Sequence, residues 1–233
     1  MTTHRRICAL ALLVCTLGFA PSRAEGAMIS FTTLVDWTTA VGAFNIETFN
    51  GFAVDTSFQN VNVALNGMTV TGTTGLNGAL TQKIDAPPLF PDYFVDSTNF
   101  LYGDVRTTTD LSEFVRFDFT SPLTAWSAET RGLGDQPTTT ISVYNASNVL
   151  LGSIPTFSPT SATLGFYGFQ LTGGDQAAYL TITSATGAND LFGLDNIRFP
   201  AAPQTAAPVP EPATVALFAS GLAAIALLRR RRS

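Results

Sequence analysis

From Val115 to Phe199 the chain repeats one device: a short run of alternating apolar and polar residues, closed by a cluster of Gly, Asn, Asp, Ser or Pro. Val115, Phe117 and Phe119 fall on one side of an extended segment, and Phe114, Arg116 and Asp118 on the other. A period of two marks a strand buried on one face only. Ser121-Pro122 is expected to break that strand, since proline cannot donate to a ladder. Further strands are expected over 123–130 around Trp126, and over 141–144 and 149–153 on either side of a hairpin loop, Asn145-Ala146-Ser147-Asn148. Three more follow at 165–171, 178–183 and 192–199. Strands at intervals of about 8–12 residues with no helix between them point to a sandwich or jelly roll, not to a parallel α/β sheet.

The first half reads the same way, with one exception. Thr33-Leu34-Val35-Asp36 fits a capped helix start, Leu34, Trp37 and Val41 share a helical face, and Gly42 supplies a stop. One short helix over 33–41 is therefore expected, after a strand at 28–32. Strands are read at 45–49 and 80–84, with shorter ones at 94–95 and 100–102. Val61, Val63 and Leu65 alternate into Asn66-Gly67, a type I′ hairpin signal, and Met68 and Val70 resume the alternation. Residues 86–92 hold three prolines and form a loop. The expected fold class is mainly β: a single antiparallel β-sandwich or jelly roll over residues 25–199 with one short N-terminal helix.

Both ends stand apart from that body. Arg5 and Arg6, an apolar run over 7–20 and Ser22-Arg23-Ala24 form a secretory signal peptide over 1–24, cut after Ala24 with Gly26 as the alternative. Residues 200–208 contain only Pro, Ala, Gln and Thr, a semi-extended spacer. The stretch 209–233 then has three parts. Val209, Pro210, Glu211 and Pro212 hold the backbone extended. Residues 213–228 carry no charge and, as a transmembrane helix, reach about 24 Å. Arg229, Arg230, Arg231 and Arg232 pin that helix's end on the cytoplasmic side. On the residues alone, an ordinary stop-transfer anchor has the same pattern.

In its order and position this tail resembles the PEP-CTERM sorting signal of exported proteins of Gram-negative bacteria. The resemblance implies a signal peptidase at one end and, at the other, a membrane exosortase that processes the chain near Pro-Glu-Pro. It also implies an intermediate anchored in the inner membrane, followed by the cell surface or extracellular matrix, in the setting of biofilm and exopolysaccharide.

Composition removes whole classes of chemistry from the body. The single His4 and the two cysteines, Cys8 and Cys15, all lie in the signal peptide. The exported part has no disulfide, thiol nucleophile, imidazole base or His/Cys zinc site, so serine–histidine and cysteine–histidine mechanisms are excluded. Residues 25–204 carry sixteen Asp and Glu against five Lys and Arg, a net charge of −11. No basic patch can neutralise phosphates, which argues against nucleic acid.

Within the body, Glu47-Thr48-Phe49, Phe117-Asp118-Phe119-Thr120-Ser121-Pro122 and Gly193-Leu194-Asp195-Asn196-Ile197 resemble galactose-binding-type and carbohydrate-binding-module β-sandwiches. The resemblance implies a structural calcium ion held by Glu47 and Asp195, helped by Asn50 or Asn196. Calcium takes six to eight oxygens, so two carboxylates are a sufficient start. The alternative is that Asp195 and Asn196 only bond a neighbouring strand. For sugar contact, Phe90 and Tyr93 on the proline-rich loop are the candidates, with Trp126, Tyr144 and Tyr167 available if they do not fill the core. A carboxylate hydrolase would use Asp92 and Asp96 beside Tyr93. The reading is an exported, non-enzymatic surface or matrix protein, with a calcium-dependent carbohydrate-binding module or a glycoside hydrolase as alternatives.

Overall fold

The computed structural model describes residues 26–73, 82–87, 93–108, 112–135 and 139–201. The expected signal peptide, most of the spacer, the sorting motif and its apolar run lie outside the described residues. Among the described residues no helix is long and apolar enough to cross a membrane.

In chain order the elements are β1 (Met28–Phe31), α1 (Leu34–Val41), β2 (Phe44–Glu47), β3 (Thr56–Ser57), β4 (Val63–Leu65), β5 (Met68–Gly72), β6 (Lys83–Asp85) and β7 (Phe100–Arg106). There follow β8 (Phe114–Leu123), β9 (Ala125–Arg131), β10 (Thr140–Tyr144), β11 (Leu150–Pro155), β12 (Leu164–Leu171), β13 (Ala177–Thr183) and β14 (Asn189–Pro200). One sheet runs β1-β12-β9-β14-β7-β6-β3, with β2 also on β14; the other runs β11-β10-β13-β8-β5-β4. Every strand pair in both is antiparallel. The sandwich is as expected.

Its core is the alternation made solid. Met68, Val70, Val115, Phe117, Ile141, Val143, Leu180 and Ile182 face inward from the six-stranded sheet. Leu101, Val105, Trp126, Ala128, Phe169, Phe192 and Leu194 meet them from the eight-stranded one. Trp126 is fully buried, stacked on Phe169 at 6.4 Å and tilted against Phe117 at 6.0 Å.

The helix forms where its cap is. Thr33 sits in extended backbone (φ −133°) and its hydroxyl oxygen accepts from Asp36 N at 3.2 Å, while the hydroxyl donates to the Asp36 carboxylate at 2.6 Å. Trp37 buries itself on the outside of β12, where its Nε1 donates to the Phe169 carbonyl at 3.2 Å. Only a glycine leaves room there: a Cβ on Gly168 would lie 2.7 Å from the indole.

Three local expectations are corrected. No strand forms at 94–95, because residues 93–99 run irregularly between β6 and β7. Ser121-Pro122 does not end β8, which continues to Leu123 and stops one residue before β9. Leu123 pairs with Ala177 and Asp118 with Tyr179, so the residues between bulge out of register and the proline needs no ladder bond. The Asn66-Gly67 turn does join β4 to β5, with Leu65 facing Met68. Only Gly67 has a left-handed φ (71°), however, so the turn is not type I′. The Asn66 N–H is instead held by Glu47 of β2 at 2.9 Å.

Trp126→Ala is expected to lower the unfolding free energy by about 3–5 kcal/mol, because the cavity opens between both sheets. Chemical denaturation followed by far-ultraviolet circular dichroism measures it, and Trp126→Phe should lose distinctly less.

Candidate functional site

Strand register decides which side chains meet on the exposed face of the six-stranded sheet. Across it, Tyr144, Tyr179, Asp118 and Thr69 form one row. Ser153, Ser142, Thr181, Arg116 and Thr71 form the next. The tyrosine rings stack with centroids 4.8 Å apart and planes 12° from parallel. Arg116 then covers Tyr179, its guanidinium carbon 3.8 Å from the ring centre.

Asp118 fixes the arginine in that pose. Arg116 Nε donates to the two carboxylate oxygens at 3.0 and 2.9 Å, and its Nη2 donates to Oδ1 at 2.6 Å. At the hairpin end the Tyr179 hydroxyl donates to Asn148 Oδ1 at 3.1 Å. Leu150 is level with Tyr144 and 52% exposed, and Val149, the residue before it at the hairpin end, is 54% exposed. The result is an ordered ladder of two phenols and a guanidinium, with apolar residues at one end and hydroxyls alongside.

The outer face of the eight-stranded sheet is roofed by residues 93–99. Tyr93 packs edge-on against Tyr102 at 5.7 Å. A Cβ on Gly193 would lie 1.8 Å from the Tyr93 carbonyl, and one on Gly132 2.8 Å from its ring. Tyr93 is thus half-buried against the sheet, held down through two glycines. Phe90 and Asp92 lie outside the described residues. Trp126 and Tyr167 are core, the latter exchanging hydrogen bonds with the Phe157 backbone at 2.7 and 2.6 Å.

Under this roof Asp195 is fully buried. Its Oδ1 accepts from Asn196 N at 2.6 Å, and its Oδ2 from the Thr98 hydroxyl at 3.4 Å. That hydroxyl and the Thr98 N–H also donate to Asp96 Oδ1 at 2.5 and 2.7 Å, so two carboxylates crowd one threonine. Burial, then the charges of Asp96 and Glu129, push Asp195 up to about 7. Asn196 Nδ2 and Arg198 Nη2 donate to Glu129 at 2.9 and 2.6 Å. Asn50 accepts from Asn99 N at 3.2 Å and so ties its loop to the roof.

Glu47 belongs to a different network. Its two oxygens accept from Phe49 N at 2.7 Å and Asn66 N at 2.9 Å, fastening β2 to the β4–β5 hairpin. Asp195 instead has Thr98, Asp96 and Asn196 around it. Among the described residues no group of three or more His, Cys, Asp or Glu is arranged to hold a metal ion.

Tyr179, Arg116 and Asp118 carry the ladder, yet none was singled out from the sequence. The available signal was positional: each occupies the outward parity of its strand, beside a partner that only the register reveals. Asp104 and Glu113, which flank Arg106 in sequence, are buried at 4% and 2% exposure.

Residues 208–232 match the PEP-CTERM protein-sorting motif. The chain is therefore exported and sorted through a membrane-anchored intermediate. No curated protein matches it. Among solved structures it is similar to the K2 cleaved adhesin domain of Lys-gingipain, at a TM-score of 0.43 and 11% identity over 67% of this chain and 99% of that one. It is also similar to a family 29 carbohydrate-binding module complexed with mannohexaose, at 0.40 and 12% over 67% and 90%. A third is the K1 cleaved adhesin domain of Lys-gingipain from Porphyromonas gingivalis, at 0.38 and 12% over 68% and 98%.

The two acids raised to about 7, Asp190 and Asp195, make stability depend on pH. Their folded values exceed the unfolded one near 3.8, so the stabilisation is complete below about pH 4 and is lost as pH rises through about 7. The melting temperature should therefore climb as pH is lowered from about 8 to about 5, and Asp195→Asn should make that slope shallower. Calorimetric scans across this range provide the measurement.

Proposed function

We propose that the protein is a non-enzymatic component of the bacterial surface or extracellular matrix that contacts polysaccharide through the exposed face of its six-stranded sheet. The observation that carries this is the Tyr144–Tyr179–Arg116 ladder, with exposed Leu150 level with Tyr144. A glycan chain has apolar C–H faces and a hydroxyl rim. The ladder and its surroundings offer matching partners: rings and aliphatic side chains for the faces, and Ser142, Ser153, Thr181, Asn148 and Asp118 for the hydroxyls.

Pre-ordering supports the same reading. Asp118 holds Arg116 and Asn148 holds Tyr179 before any ligand arrives, so little side-chain freedom is lost on contact. The setting inferred is a Gram-negative envelope, where the tail is processed by an exosortase and the body is delivered to exopolysaccharide or biofilm. A hydrolytic role finds less support. Asp96 is engaged by the Thr98 hydroxyl and N–H, the arrangement of a turn-capping side chain.

Two measurements test this. Retention on the producing bacterium's own exopolysaccharide should fall by about tenfold or more when Tyr144 and Tyr179 are both changed to alanine, the loss of about 1.4 kcal/mol of contact. The polymer should be recovered with its chain length unchanged; shortening would make the protein a hydrolase. Separately, alanine at Pro210, Glu211 and Pro212 should leave export intact and keep the full-length chain in the membrane fraction. Normal release of that variant would reduce the motif to a linker.

A further inference from the structure

Another buried acid lies at the start of β14, away from the ladder and from the roofed face. Asp190 is fully buried on the inward parity of its strand, level with Val105. Its Oδ2 accepts from Gly134 N at 2.9 Å, in the connection after β9. Its Oδ1 has no hydrogen-bond partner. Thr139, 1% exposed, sets its hydroxyl near this carboxylate and favours its charged form, yet that Oγ1 also makes no bond of acceptable geometry. Asp135 brings a second carboxyl group within hydrogen-bonding reach of the first. The ion pairs Lys83–Asp55, Lys83–Asp85, Arg116–Asp118 and Arg198–Glu129 all leave Asp190 and Asp135 out.

The surrounding backbone is built, not loose. Asp135 N donates to the Gly132 carbonyl at 3.0 Å, and Ser158 N to the Gly134 carbonyl at 2.8 Å. The Thr139 carbonyl takes both the N–H and the hydroxyl of Thr156, at 3.0 and 2.9 Å. Gly134 has a left-handed φ of 86° and is pressed on the Thr156–Phe157 backbone, where a Cβ would sit 2.5 Å from Phe157 N. Backbone held on both sides thus brings two carboxyl groups and a hydroxyl together, with Asp190 Oδ1 and Thr139 Oγ1 buried and in no well-formed hydrogen bond.

We propose that Asp135, Asp190 and Thr139 form a calcium-binding site that locks the β9–β10 connection to β14. An all-oxygen set with two negative charges suits a hard divalent cation, and calcium tolerates the irregular geometry that carboxylate, hydroxyl, carbonyl and water oxygens give. Burial is the main cause that lifts Asp190 to about 7, with Asp135 adding to it, and a bound cation would reverse both effects. The site is independent of what the sheet face binds, and it shares no residue with the Glu47–Asp195 pairing.

The test uses the full-length chain in detergent, with calcium alone as the probe. Calcium a hundredfold above its dissociation constant should raise the melting temperature by roughly 5–10 °C over the chelator-treated sample. Calorimetric titration should show a saturable site. Asp190→Asn and Asp135→Asn should each abolish the shift, while Asp195→Asn and Glu47→Gln retain it. Asp135 is the less buried of the two, so its variant guards against a folding defect in the other. A wild-type melting temperature indifferent to calcium overturns the proposal, leaving two carboxyl groups that share a proton. So does a shift that survives Asp190→Asn, or one lost only in Asp195→Asn.

Discussion

The larger sheet takes its shape from one strand, β14, and from one extra residue within it. Residues 189–194 pair with β7, and 197–200 continue along the same edge with β2, while β9 runs down the other side. Between Asp195 and Arg198 the strand advances three residues as β9 advances two, from Glu129 to Ser127. Asn196 absorbs the difference in a left-handed conformation (φ 50°), which asparagine tolerates better than most residues. The bulge exchanges parity: Phe192 and Leu194 point inward before it, Ile197 and Phe199 after it. Without it, the second half of β14 would turn its apolar residues outward.

The same displacement arranges the charges. Asp195 and Arg198 both emerge on the outer face, and Arg198 has Glu129 as its counter-ion at 2.6 Å. Asp195 is left with a backbone N–H, a shared hydroxyl and the neighbouring Asp96. At the far end Asp190 has a backbone N–H and a second carboxyl group. Burial without a cation disfavours the charged form, so both acids are raised in the same direction for the same reason. The domain's acidity is thus not confined to its solvated surface, and its buried acids give β14 a sensitivity to protons at its start and at its bulge.

What could be read in the sequence was what depends on neighbours in sequence. The alternation of Val115, Phe117 and Phe119 gave β8 its buried face, Thr33 and Asp36 gave α1 its start, and Asn145 gave its hairpin a loop that the structure closes through Asn145 Oδ1 to Ser147 N and Val149 N. What could not be read was set by partners far along the chain. The bulge that accommodates Pro122 depends on β13, and the shape of the Asn66-Gly67 turn depends on Glu47, nineteen residues earlier. The ladder needed the register of β8, β10 and β13 before Tyr144, Tyr179 and Arg116 became neighbours. The surroundings of Asp195 came from Asp96 and Thr98, in a segment with no periodicity to announce it.

The register also fixes where the body meets its tethers. Arg198 is level with Ser127, Ser127 with Gly168, and Gly168 with Phe31. β1 and β14 run in opposite directions, so the chain enters at Met28 and leaves after Pro200 at the same pole of the sheet. Both ends of the described chain therefore share one pole, so whatever precedes Met28 and whatever follows Pro200 approaches the domain from the same side. The start of β14, with Asp190, lies at the other pole, as far along the sheet from those two ends as the strand allows.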